Sequence, residues 1–229
     1  MIDDILDNPV WNAMISSNNK LATGNDHVKI FQQDVGPFAG MKNFKRESFE
    51  ELYDLVPTGR IVVIFTPVYL DIPGYWKMIE VINALQMTFE GPKQVSNRHH
   101  EIVPLEKSHA PQMIALTKLT NPGPFLQRTI EFGNYKGIFL SGQLLSMAGQ
   151  RLHAWQYVEV SAVCTHPDHT GKGYSKSLIN NQVDLIVGRG EIPFLHVKAE
   201  NEHAIDLYKH LGFAVRKVMN IYVLQRKSA

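Results

Sequence analysis

The stretch VCTHPDHTGKGYSKSLI, residues 163–179, runs from β-branched residues through Pro167, across Gly171 and Gly173, and into a helical pattern. A helix start exposes about four N–H groups without intrahelical partners and carries roughly half a positive charge. Glycines at that point let an anion come close to the amides, so a phosphate is the first ligand to consider.

The flanking sequence frames this turn as a strand-to-helix crossover. YVEVSAVCT (157–165) is a β-prone run that His166 and Pro167 end, the helix runs over 174–188 to GRG, and PFLHVKA forms the next strand. In NEHAIDLYKHLGF, Ala204, Leu207, Tyr208 and Leu211 make one apolar helical stripe that stops at Gly212, and AVRKVMNIYVL is the final strand. Upstream, EIVPL reads as a strand. SHAPQMIALTKLT and FLQRTIEFG read as helices parted by NPGP, and YKGIFLSG with QLLSMAGQRL reads as a hairpin. The order β-α-α-β-β-β-α-β-α-β, with strand-helix-strand crossovers in its second half, predicts a partly parallel sheet.

The first part of the chain reads as a helix over 2–16, a strand at HVKIFQQDV, a helix at ESFEELYDLV, a strand at RIVVIFTPV and a helix at YWKMIEVINALQMTF. The polar run EGPKQVSNRHHE has a Gly-Pro break and no periodicity. The expected division is therefore an N-terminal α/β domain, 1–97, and a second domain, 98–229.

The formal net charge of +1 argues against partners held by bulk electrostatics, so neither nucleic acid nor a membrane surface is expected. The single cysteine, Cys164, excludes an intrachain disulfide, and MIDDILDNPVW lacks the basic start and apolar run of a secretory signal. A reducing, cytoplasmic setting is expected. Apolar runs such as IVVIFTPVYL fall short of the ~20 residues a membrane span needs.

Two other readings of the glycine turn fail on spacing. A dinucleotide fingerprint, G-x-G-x-x-G, would need glycine where Lys176 stands, and the acid at the right distance, Glu191, precedes its strand instead of ending it; no Walker spacing exists nearby. Cys164, His166, His169 and His196 supply metal-ligand chemistry but no repeated ligand spacing, so no metal is assigned.

VEVSAVCTHPDHTGKGYSKSLI followed by PFLHVKAENEHAIDLYKHLGF resembles the two core motifs of the GNAT acyltransferases, nearest the glycine N-acyltransferase-like branch, over residues 101–224. The resemblance implies the GNAT fold, a mixed central sheet flanked by helices, here with the additional N-terminal domain, itself similar to a partial GNAT unit and capping the acceptor cleft. It implies acetyl transfer from acetyl-coenzyme A to a primary amine of a small molecule or amino acid, by direct attack in a ternary complex. It also allows a homodimer. The other function class is a non-catalytic acyl-coenzyme A sensor, which stays open because the family's Q/R-x-x-G-x-G/A motif begins here with Asp168, and Thr170 stands where arginine commonly precedes the first glycine.

By the same resemblance, Val163, Cys164 and Thr165 offer backbone groups to the pantetheine arm. The pyrophosphate sits over the amides of His169, Thr170, Gly171, Lys172, Gly173, Tyr174 and Ser175, with Lys172 or Lys176 adding charge. Asn201 binds the coenzyme arm, and it equally suits a helix N-cap. Tyr208 faces the sulfur as general acid, although its place on an apolar stripe equally suits the core. Glu159, inside an otherwise apolar β-run, is the implied general base, with a solvent-facing strand position as the alternative. The acceptor side is expected from NPGPFLQ, the last strands and the N-terminal unit, with Trp76 and Trp155 as candidate wall residues.

Overall fold

The computed structural model of the chain describes residues 4–92 and 100–228. Its strands in chain order are β1 (Ala22–Gly24), β2 (Val28–Phe31), β3 (Ala39–Met41), β4 (Ile61–Thr66), β5 (Trp76–Phe89), β6 (Val103–Pro104), β7 (Lys136–Leu140), β8 (Gln143–Ala154), β9 (Tyr157–Thr165), β10 (Ile192–Lys198) and β11 (Phe213–Arg226). The helices are α1 (Pro9–Met14), α2 (Arg46–Leu55), α3 (Ala110–Thr120), α4 (Tyr174–Val187) and α5 (Glu202–His210). The first three strands form a small antiparallel sheet. The other eight form one mixed sheet in the order β4-β11-β5-β10-β9-β8-β7-β6.

Period-2 patterning divides the core between the two faces of the large sheet. Val158, Val160, Leu195 and Val197 pack with Ile179, Val183 and Ile205 of α4 and α5. The alternate residue Phe194 joins Val63, Phe65, Leu152 and Met219 against Val10 and Met14 of α1. The sheet therefore has one face under α4 and α5 and another against the N-terminal segment.

Three local expectations give way to tertiary structure. YWKMIEVINALQMTF is strand, because β5 pairs with β11 from Trp76↔Arg226 to Phe89↔Phe213 and satisfies its backbone in that long ladder. Its Ile79, Val81, Ile82 and Thr88 suit the pleat better than a helix. FLQRTIEFG shortens to a 3-10 turn over Thr129–Phe132, stopped by Gly133 at φ 112°. The parallel pairing implied for the second half is confined to β9 and β10, because β5 inserts between β10 and β11 and is antiparallel to both. The large sheet thus runs across the expected domain division; the boundary at residue 97 itself lies outside the described residues.

The hairpin read at SGQ forms, with Ser141 and Gly142 at φ 49° and 80°, the left-handed pair a two-residue turn demands. Near the sheet's middle, a bulge places Ala162 at φ 52° as β8 passes from Met147↔Cys164 to Gly149↔Ser161. Gly149 is required beside it, since a Cβ there would sit 2.3 Å from the Tyr135 ring.

Candidate active site

The parallel strands β9 and β10 stay paired only over Tyr157–Glu159 and Ile192–Phe194. Beyond that point β10 continues on β5 and β9 continues on β8, so the two part and leave a wedge in the sheet. A cleft of about 990 Å³ fills it. All thirteen residues singled out above, from Glu159 and Val163 to Asn201 and Tyr208, line this cleft, and Lys176 joins them.

Along the β9 wall the backbone is sorted by pairing. The Cys164 carbonyl accepts from Ser146 Oγ at 2.8 Å and so faces β8, whereas alternation turns the polar backbone of Val163 and Thr165 toward the wedge. The Cys164 side chain is buried among Met113, Leu144 and Met147, which pushes its thiol up to about 12 and keeps it protonated at neutral pH. A hydroxyl chain from Ser146 through Thr165 to Ser175, with steps of 2.7 and 2.9 Å, ties the strand end to the start of α4.

At that helix start Gly171 and Gly173 take φ 74° and 77°, and a Cβ on Gly171 would meet nothing within 4 Å. The glycines are thus required by backbone conformation, and the space above them is open, which fits a diphosphate. The donor set differs from the one expected by two residues. The amides of His169 and Thr170 are spent on the carbonyls of His166 and Pro167 in a 3-10 turn, while those of residues 171–176 have no acceptor among the described residues. His100, which sequence reasoning did not single out, donates from Nε2 to the Lys172 carbonyl at 3.0 Å and packs edge-on against Tyr174. It buttresses the loop from a segment remote in sequence.

On the opposite wall, Asn201 lines the cleft and caps α5, its Oδ1 accepting from the Ala204 amide at 3.1 Å. Tyr208 is half-buried on α5; burial pushes its phenol up to about 12, and its hydroxyl has no hydrogen-bond partner among the described residues. A phenol so shifted stays protonated throughout the working range and is available as a donor.

Glu159 stands where β9 and β10 part, and it points to the N-terminal face, fully buried. Arg151 grips it with two bonds, Nε to Oε2 at 2.7 Å and Nη2 to Oε1 at 2.6 Å, and His196 Nδ1 donates to Oε1 at 2.8 Å. Burial alone would raise its pKa, but these two partners outweigh it and bring the carboxyl down to about 2. His196 Nε2 accepts from Gln86 Nε2 at 3.0 Å, Gln86 Oε1 accepts from Arg216 at 2.7 Å, and Arg216 donates to buried Asp7 at 2.8 Å. A polar chain therefore runs from the floor of the cleft to the N-terminal segment.

Arg151 went unremarked in the sequence, and His196 entered only as a rejected metal ligand. A two-residue turn at Trp155–Gln156 brings Arg151 beside Glu159 across β8 and β9, a cue present in the hairpin spacing. The cleft is further lined by Asn121, Pro122, Gly123 and Pro124, by Ile221 and Val223 of β11, and by Phe38, Val63, Phe65 and Ile82 of the N-terminal part, where the acceptor side was expected. Neither tryptophan takes part: Trp76 is buried in a separate core and Trp155 projects to solvent beside the hairpin turn.

A parted parallel strand pair, free amides at a glycine-opened helix start and a buried tyrosine thus line one cleft, an arrangement matching the motifs that the sequence shares with acyltransferases. The FR47-like protein family model matches residues 135–223. A crystal structure from Novosphingobium aromaticivorans DSM 12444, assigned to the GNAT acetyltransferases, superposes with a TM-score of 0.91 at 32% identity, covering 99% of this chain and 100% of that one. An uncharacterised N-acetyltransferase of Methanocaldococcus jannaschii is 35% identical over 65 residues, and the spermidine N(1)-acetyltransferase of Vibrio cholerae 33% identical over 78. These matches take in 28% and 27% of this chain and span 29% and 44% of the two relatives. The chain belongs to the GNAT family of acetyltransferases.

Proposed function

We propose that this protein transfers the acetyl group of acetyl-coenzyme A to a primary amine of a small molecule, by direct attack within a ternary complex, in a reducing cytoplasm. Within the family the motifs around Glu159 and Gly171 favour the glycine N-acyltransferase-like branch. The observation that carries the reading is the convergence on one cleft of three things the reaction needs: amides of residues 171–176 without acceptors, backbone of Val163 and Thr165 turned into the wedge, and the unpartnered Tyr208 hydroxyl.

Attack of a neutral amine on the thioester carbon expels a thiolate of pKa ~8.5. Tyr208, still protonated with a pKa of about 12, donates a hydrogen bond to that sulfur as charge develops. Glu159 stands where the base was expected, but with a pKa of about 2 and both oxygens engaged it has too little proton affinity to deprotonate an ammonium. We assign it a positioning role, holding Arg151 and His196 in the wall, and the amine's proton leaves to water in the open cleft.

The non-catalytic sensor keeps one specific observation in its favour, namely this engaged carboxylate where a base is usual. Coenzyme A release, followed as free thiol across a panel of amines, separates the two. Turnover that falls ~10²-fold in Tyr208→Phe with acetyl-coenzyme A affinity unchanged is the expected result. Tight coenzyme binding without turnover on any amine establishes the sensor, and no coenzyme binding at all overturns both.

A further inference from the structure

Resting on the acetyl-transfer reading, we infer that His196 and Gln86 are positioning residues for the reaction: acting through Glu159, they fix how far β9 and β10 part beside the thioester. The last backbone pair of the two strands is Glu159↔Phe194. His196 lies two residues further along β10, on the same face by alternation, and its Nδ1 donates to Glu159 Oε1 at 2.8 Å. A side-chain bond therefore takes over where the backbone ladder stops, and both of its residues line the cleft. Arg151 of β8 grips both carboxylate oxygens, so His196 ties β10 to a group already fixed on β9.

The tie depends on which ring nitrogen carries the proton, and β5 decides that. Gln86 stands directly opposite His196 in the β5–β10 ladder and is fully buried. Its Oε1 accepts from Arg216 Nη1 at 2.7 Å, which assigns its other end as the amide nitrogen. That nitrogen has two hydrogens, one given to the Leu6 carbonyl at 2.8 Å and one to His196 Nε2 at 3.0 Å. Nε2 must therefore present a lone pair, and the ring proton stays on Nδ1, toward Glu159. The opposite tautomer would set N–H against N–H at Gln86 and a lone pair against the carboxylate. Phe65 and Phe194 pack against the imidazole, with ring centroids 4.8 and 5.7 Å from its own. The amides of residues 171–176 and Asn201 belong to other elements, at the starts of α4 and α5. A looser fork should accordingly displace the thioester relative to Tyr208 without releasing the coenzyme, and misplacement of that kind costs rate rather than affinity.

The test measures thiol release from acetyl-coenzyme A by the full chain, with the fastest amine of the panel as acceptor. His196→Leu should lower kcat about tenfold or more, while calorimetric affinity for acetyl-coenzyme A, which also reports folding, changes less than about twofold. His196→Asn, whose amide nitrogen is bonded to Cγ as Nδ1 is, should recover most of the lost rate. Gln86→Glu, whose carboxylate cannot donate to Nε2, should fall as His196→Leu does. In the unsubstituted chain, nitrogen NMR of isotope-labelled histidine, with the His196 ring assigned by its loss in His196→Asn, should place the proton on Nδ1. That spectrum decides the tautomer even where His196→Leu does not fold. Turnover unaffected by His196→Leu, affinity falling in step with rate, His196→Asn no better than His196→Leu, or a proton on Nε2 would each overturn the positioning role while acetyl transfer stands. No thiol release by the unsubstituted chain with any amine of the panel refutes acetyl transfer, and the positioning role falls with it.

Discussion

In the proposed site, Gly171 and Gly173 would carry the coenzyme end through backbone conformation. At φ 74° Gly171 occupies the left-handed region, which a β-branched residue adopts only with strain, and the space above it is open, so a side chain there would collide with a diphosphate bound as proposed. Gly171→Val should abolish acetyl-coenzyme A binding in calorimetry while circular dichroism stays native, because nothing in the protein itself lies within 4 Å of the added Cβ. Unchanged affinity would remove the turn from the site. The identity of this turn was legible in the sequence because glycine spacing before a helix has a local cause. Which amides remain available was not, since the 3-10 turn that consumes those of His169 and Thr170 depends on how Pro167 leaves β9.

Among the elements, the β8–β9 hairpin does most to shape the cleft. Its bulge at Ala162 changes which backbone groups of β9 face the wedge, and it closes only because Gly149 leaves room for the Tyr135 ring. Gly149→Ala should therefore destabilise the fold by about 1–3 kcal/mol, read as a lower denaturation midpoint. A Tyr135→Leu change in the same chain should restore part of the loss, and no destabilisation would show the ring free to move. Strands β7 to β11 and helices α4 and α5 were readable from alternation and periodicity. β5 was not, because apolar residues in YWKMIEVINALQMTF satisfy a helical stripe as well as a strand, and only the long ladder with β11 arbitrates.

Across the whole molecule, the buried chain from Arg151 through Glu159, His196, Gln86 and Arg216 to Asp7 couples the site to the N-terminal segment. Burial would raise the Asp7 carboxyl, but hydrogen bonds from Lys217 and Arg216, with their charges, hold it below the usual carboxylate range, and Glu159 is down at about 2. A depressed folded pKa contributes stability that is present above the unfolded value near 4.3 and is lost as pH falls toward the folded one. Urea denaturation should accordingly show stability falling between pH 5 and about 2. Glu159→Gln should reduce that dependence and cost about 3–5 kcal/mol at pH 7 by leaving buried Arg151 unpaired; a pH slope unchanged by the substitution would contradict the assigned pairing.

By itself the sequence determined the features whose causes are local: the glycine turn, the apolar stripes of α4 and α5, the cap at Asn201, and the strand that presents Glu159. Tertiary structure alone decided that β5 lies between β10 and β11, that Phe38 and Phe65 stand across the cleft from residues more than eighty positions away, and that Glu159 is held ionised between Arg151 and His196. Strand order and charge pairing of this kind depend on long-range register, which a window of neighbouring side chains does not contain.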